Sequence, residues 1–175
     1  HSIFDGVSDM VFMQDLKTAL QGLDIEQEQH TYFEHAVEEE KMMHDEAFTK
    51  AESYFDNLLS SAESTVYPHS SEGTTDSEYG KFEFKIPSDS VENFSRVNGV
   101  TANAYFLTIF TQVLHRITRE ESVLISTIDN GRPDVRWMNT FGMFVKTYPI
   151  VSTLNIKEAH STTIAAQTKT MQEQL

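Results

Sequence analysis

Apolar positions in the first sixty residues recur at helical spacing. Val7, Met10, Val11, Leu16, Ala19 and Leu20 predict a first helix, with Ser8 or Asp9 as its cap and Gly22 as its stop. A second helical region is expected from near Gln29 to about Leu59, broken around His44. Its apolar marks run from Tyr32, Phe33, Ala36 and Val37 to Phe55 and Leu58. The run Glu38-Glu39-Glu40-Lys41 inside it reads as a solvated face. Between Ser60 and Gly80 the pattern lapses, and Pro68, Gly73 and Gly80 among Ser, Thr, Asp and Glu predict a linker.

Beyond the linker the period changes. Lys81-Phe-Glu-Phe-Lys-Ile86 alternates with period two and predicts a strand. Ser88 or Asp89 opens a short helix that Gly99 ends. Thr101 or Asn103 then opens a longer one to about Thr118, so apolar along Ala104–Ile117 that it is expected to be buried. Ser122–Ile128 predicts a core strand, Phe141–Leu154 a long strand or strand pair, and Ile156 to the end a helix. Helices and strands mixed in this way predict a layered α/β or α+β fold.

Composition narrows the function classes. Hydrophobic residues at 39% and aromatic residues at 11% suffice for a folded core. There is no cysteine, which excludes disulfides and thiolate chemistry and suits a cytoplasmic setting. A net charge of −14 argues against nucleic acid as a partner. No apolar run is long enough for a membrane span, so no membrane partner is expected. His30 and His35 lie five apart without a convincing further ligand, so no metal site is expected. Phosphate-binding glycine loops and Gly-x-Ser-x-Gly elements are likewise missing.

The chain opens on His1-Ser-Ile-Phe-Asp5-Gly6, a histidine four residues ahead of an Asp-Gly turn. An imidazole on a structured loop is a candidate acid–base group. A working site at the first residue suggests an interior piece of something larger. Three further segments follow in order: Tyr32-Phe33-Glu34-His35-Ala36-Val37, Asn130-Gly131-Arg132-Pro133, and Phe141-Gly142-Met143-Phe144-Val145-Lys146-Thr147-Tyr148-Pro149-Ile150. In order and spacing this set resembles the core motifs of condensation domains from nonribosomal peptide synthetases. There the first motif reads His-His-x-x-x-Asp-Gly, and the register makes His1 its second histidine.

The resemblance implies a two-lobed fold similar to chloramphenicol acetyltransferase, present here in part. Residues 1–60 would end the N-terminal lobe and crossover, 61–80 form a linker loop, and 81–175 begin the C-terminal lobe. It implies amide-bond formation between an acyl or peptidyl thioester and an aminoacyl thioester. Both would hang from phosphopantetheine arms presented by upstream and downstream peptidyl carrier domains, beside an adenylation domain, with no cofactor bound covalently to this chain. His1 would be catalytic, while Asp5 pairs with Arg132 and Gly6 allows close backbone approach or a positive φ. Ser8, Gly142 and Phe144 are candidate tunnel-lining residues, although Ser8 also reads as a helix N-cap and Trp137 as packing. Lys146 and Tyr148 depart from the family's Asn and Leu. An epimerization domain, which shares fold and histidine motif, and a non-catalytic recruitment platform are the alternatives. The isolated piece is expected to be inactive and to expose apolar surface.

Overall fold

A computed structural model of the chain describes residues 3–60, 62, 65, 81–154 and 163–175. His1 and nearly all of the expected linker lie outside the described residues. The chain divides into two compact units, His1–Ser60 with Ser126–Pro149 and Ser61–Ile125 with Ile150–Leu175.

The first unit carries helices α1 (Gly6–Leu20), α2 (Tyr32–Met42) and α3 (Glu46–Ser60). Helix α1 starts earlier than its apolar pattern predicts, because Asp5 and not Ser8 or Asp9 is the N-cap: its carboxylate accepts from the Ser8 amide at 2.9 Å. The second helical region is indeed interrupted at residues 43–45. It begins at Tyr32 and not at Gln29, since Thr31 and Glu34 form a reciprocal capping box. The acidic run of α2 is not simply a solvated face. Glu38 and Glu39 are half-buried and pair with Arg136 and Lys146, whereas Phe33 and Val37 point outward.

The second unit carries α4 (Ser88–Asn98), α5 (Ala102–Thr118) and α6 (Ile164–Gln174), with α5 packed on both others. Gly99 ends α4 in the left-handed region, as expected. Thr101 caps α5 and also meets Gln172 of α6, whose Oε1 accepts from the Thr101 amide at 2.9 Å and its hydroxyl at 2.8 Å. The buried stripe of α5 is Ala104, Thr108, Thr111, Leu114 and His115, while Phe106, Phe110, Val113 and Ile117 are at least 43% exposed. So the expectation of an all-round buried helix fails. The threonines can be interior because each hydroxyl is satisfied on its own helix: Thr108 donates to the Ala104 carbonyl at 2.7 Å and Thr111 to the Thr108 carbonyl at 3.0 Å.

Strands β1 (Ser122–Asp129) and β2 (Lys146–Thr153) form a two-stranded sheet. Just beyond them the Leu154 amide donates to the Glu121 carbonyl at 2.8 Å, so the end of β2 lies beside the start of β1 and the pair is antiparallel. β2 is shorter than the Phe141–Leu154 expectation, because residues 141–145 are spent on side-chain and loop contacts. The strand expected at Lys81–Ile86 is absent. The segment is irregular, with Phe82 92% and Phe84 79% exposed and no ladder partner among the described residues. Alternation marks a surface able to pair, not a pair already made. Helix α6 begins at Ile164, and residues 155–162 lie outside the described residues.

The inverted stripe of α5 has a measurable consequence. Phe110→Ser should change the stability of this chain by less than about 1 kcal/mol. Ala104→Leu, at a position with no exposure, should cost about 1–3 kcal/mol by overpacking. Urea denaturation of both variants checks the contrast, and a larger loss for Phe110→Ser would overturn it.

Candidate functional site

The candidate site is built within the first unit from four stretches: the start of α1, the loop 129–132, the 3₁₀ turn Val135–Trp137 with the residues after it, and the approach to β2. At its centre is a buried ion pair. Arg132 Nη2 lies 2.9 Å from Asp5 Oδ1, and neither side chain is exposed to solvent. Removing two charges from water is expensive, so the surrounding hydrogen bonds decide whether the pair is tenable.

Those bonds are numerous. Asp5 Oδ1 accepts from the Ser8 amide at 2.9 Å and faces the Ser8 hydroxyl at 3.0 Å, while Oδ2 accepts from the Phe144 amide at 3.1 Å. Arg132 Nη1 donates to the carbonyls of Thr140, at 2.8 Å, and Trp137; Nη2 donates to Ser8 Oγ at 3.1 Å as well as to Asp5. Its guanidinium stacks 3.9 Å from the Phe144 ring centroid. Ser8 Oγ accepts from the Gly142 amide at 3.1 Å and has one proton to give, with Asp5 Oδ1 and the Gly142 carbonyl both 3.0 Å away. Ser8 is therefore a cross-link between α1 and the 142 loop and not the N-cap of its helix.

Burial alone would raise the Asp5 pKa. The Ser8 amide, Arg132, the Phe144 amide and the Ser8 hydroxyl together outweigh it and hold the carboxyl below its ordinary value. The loop that delivers Arg132 is itself pinned, since Asp129 accepts from the Gly131 amide at 2.7 Å and Asn130 from the Arg132 amide at 3.0 Å. Gly131 has φ +66°, and a Cβ there would sit 1.7 Å from the Phe144 carbonyl oxygen. At Gly142 a Cβ would lie 2.3 Å from the Tyr32 ring. Two glycines thus let two backbone segments close on their neighbours.

The structure brings together Asp5, Ser8, Arg132, Gly142 and Phe144. His1 lies outside the described residues. Gly6 is exposed, has neither a positive φ nor a crowding neighbour, and simply opens α1, so the expectation of strained or close-packed backbone there is corrected. Ser8 and Phe144 have no exposed surface and Gly142 is buried, so all three stand behind the surface a substrate can touch and do not line a tunnel. Next to this buried cluster, Val7 lines an open groove of about 760 Å³ together with Met10, Val11, Met138 and Phe141. Among the described residues no metal-ligand cluster exists, and no helix is long and apolar enough to cross a membrane.

Sequence reasoning missed His35. It is 7% exposed, with Phe144, Trp137 and Tyr32 ring centroids at 4.7, 5.2 and 6.1 Å, and its Nε2 has no hydrogen-bond partner. Burial lowers its pKa most; Lys146 and Arg132 push the same way, against Glu39 and Glu38. The neutral ring is the back wall of the Arg132 cluster. A signal was present, because His35 shares the helical stripe of Tyr32 and Ala36.

A family model described as "Condensation domain" matches residues 1–175. Gramicidin S synthase 2 of Brevibacillus brevis is 26% identical over 155 residues, 84% of this chain and 3% of that protein. The epimerization domain from the third module of tyrocidine synthetase B aligns with 99% of this chain and 41% of its own at TM-score 0.76 and 19% identity. The first condensation domain of the CDA synthetase aligns with 99% of this chain and 40% of its own at TM-score 0.74 and 16% identity. The fold is therefore mixed α/β and chloramphenicol acetyltransferase-like, represented in part.

Asp5→Asn keeps an acceptor for the cap but leaves Arg132 without a counter-charge, and should cost about 3–5 kcal/mol at pH 7. The sign of the pH dependence follows from both depressed groups. Asp5 contributes stability above the ordinary carboxylate pKa, roughly 3.9, which is lost as pH falls through its lower folded value. His35 does the same beginning near roughly 6.5, because the unfolded chain takes up a proton that the folded core refuses. Denaturation at pH 7, 5 and 3 should show a progressive loss in the parent, with the 7-to-5 loss reduced in His35→Gln. An Asp5→Asn variant that melts like the parent would remove the structural role assigned to the pair.

Proposed function

The chain belongs to the condensation-domain family of the nonribosomal peptide synthetases, and from that premise we propose that its parent forms amide bonds between carrier-tethered substrates. The donor is an acyl or peptidyl thioester and the acceptor the amine of an aminoacyl thioester. Each is held on a phosphopantetheine arm by an upstream or downstream peptidyl carrier domain, with an adenylation domain supplying the activated acid. The observation that carries this reading is the buried Asp5–Ser8–Arg132 cluster, which fixes the Asp-Gly end of the histidine motif at the start of α1.

Amide formation needs the attacking amine to lose a proton and a tetrahedral oxyanion to be stabilised. His1 is the group assigned to take or steer that proton, four positions before Asp5 in sequence. Asp5 and Arg132 hold the loop and touch no substrate, so they are positioning residues. Most of the acceleration comes from bringing two tethered reactants together. Epimerization is the second reading, supported by the fold match to the tyrocidine synthetase epimerization domain. The two differ in outcome: condensation consumes the acceptor amine, whereas epimerization inverts a carrier-bound residue without one. By domain, residues 1–60 belong to the first lobe and crossover, and 81–175 to the second.

The test is a carrier-loaded reaction on the intact parent module, read by mass spectrometry and chiral analysis. Wild type should give amide product, and His1→Ala at equal folded concentration should lose about 10²–10⁴-fold in rate. Equal rates would remove His1 as the catalytic residue, and inversion without amide product would transfer the assignment to epimerization. No reaction from either protein, with loading confirmed, would favour a recruitment platform.

A further inference from the structure

His115 stands in the last turn of α5 and is 3% exposed. Its Nδ1 lies 2.8 Å from the carbonyl oxygen of Glu120. A carbonyl only accepts, so in the neutral ring Nδ1 carries the proton and Nε2 presents a lone pair. Ser152 Oγ lies 3.2 Å from that nitrogen and donates to it. Acceptor, imidazole and hydroxyl thus follow in the order that activates a serine: the carbonyl fixes the tautomer, and the free nitrogen can receive the hydroxyl proton.

The pair is not sealed into the core. Ser152 is half-buried near the end of β2, and both side chains line a cavity of about 190 Å³ bounded by α5, residues 152–154 and α6, a lining that lies within the second unit. That is about six times the share of liquid volume taken by one water, enough for a short acyl group. Among the described residues lining it there is no Asp, Glu, Lys or Arg, in a chain of net charge −14. Carboxamides from Gln112, Gln167 and Gln174 supply the polar surface instead, and Gln174 Oε1 is buried with no hydrogen-bond partner. An uncharged wall with hydrogen-bonding groups selects an uncharged ligand that can use them, because a charged one would be desolvated without a counter-ion.

We propose that Ser152, with His115 as its base, is a nucleophile that accepts the acyl group of a small uncharged ester or thioester. Ser152 Oγ bonds to the acyl carbon as its proton passes to His115 Nε2. The carbon–oxygen or carbon–sulfur bond of the substrate then breaks, and the alcohol or thiol leaves with that proton. Water adds to the acyl-serine in the second half, releasing the free acid and restoring the hydroxyl. Ester and water are the only co-reactants. This site shares no residue with the Asp5–Arg132 cluster and stands whether or not the parent forms amides.

Diisopropyl fluorophosphate tests it on the folded full chain, since the reagent is small, uncharged and loses fluoride to an activated serine. Peptide mass spectrometry should place one diisopropylphosphoryl group on Ser152, and Ser152→Ala should take none. His115→Gln should slow labelling by about 10²–10⁴-fold with the fold retained by circular dichroism. Thr170→Trp changes an exposed residue of the cavity lining, leaves the dyad intact, and should also slow it. Absence of a Ser152 adduct on folded wild type, or modification confined to other serines, would overturn the proposal. So would an undiminished rate in folded His115→Gln; should that variant fail to fold, an undiminished rate in Thr170→Trp would do the same.

Discussion

The first unit depends on one buried interaction, the contact of Arg132 with Asp5 across 127 residues of chain. A fully buried carboxylate and guanidinium are tolerable only when nearly every lone pair and N–H has a partner. Asp5 meets this with bonds from Ser8, Arg132 and Phe144, and Arg132 with bonds to Trp137, Thr140, Ser8 and Asp5. Its Nε alone is buried without a partner. Each bond draws another segment to the same point. The N-cap of α1, the turn at Gly131, the 3₁₀ turn and the approach to β2 are therefore aspects of one constraint. Closing so long a loop costs little more than closing one half its length, because the entropy grows only logarithmically. The specific geometry at the point of closure is what selects this arrangement.

That constraint also explains what was legible in the sequence. Helices α4 and α5 announced themselves through Gly99 and Thr101, because caps are local chemistry. Most of the cluster was within reach through the motifs containing Asp5, Arg132, Gly142 and Phe144. What could not be read was the direction in which a periodic stripe faces. In α5 the apolar side is the exposed one, and a threonine-rich side is interior, because self-satisfied hydroxyls remove the cost that normally keeps threonine outside. In α2 the acidic run is drawn in by Arg136 and Lys146, residues that periodicity within α2 cannot reveal. His35 was hidden for the related reason that a histidine counts as polar until aromatic neighbours enclose it.

The divergence at Lys146 shows how a site can absorb a charge. A lysine where the resembled motif has a neutral amide would be costly if buried alone. Here its ammonium meets Glu39 with both side chains more than a third exposed, so solvent screens the pair and its net contribution is about 0–1 kcal/mol. The substitution thus leaves the interior network of Asp5 and Arg132 intact. Tyr148 has its hydroxyl pKa raised by burial and then by Asp129, so the neutral phenol occupies the other divergent position.

Fold and reaction are therefore set by different residues. Solved condensation and epimerization domains match this chain almost equally well, at TM-scores of 0.74 and 0.76, so the backbone does not choose between them. Every side chain of the buried cluster is committed to holding segments together, and none reaches solvent. Such a cluster fixes Asp5 and the start of α1 in the same way for either chemistry, because it acts on backbone shape and touches no solvent. On the proposed reading the choice falls to groups outside the cluster, namely His1 and the groove lined by Val7, Met10 and Val11. A substitution in that groove leaves the bonds of Asp5 and Arg132 in place, while one in the cluster removes a partner from a buried charge and loosens every segment that meets there.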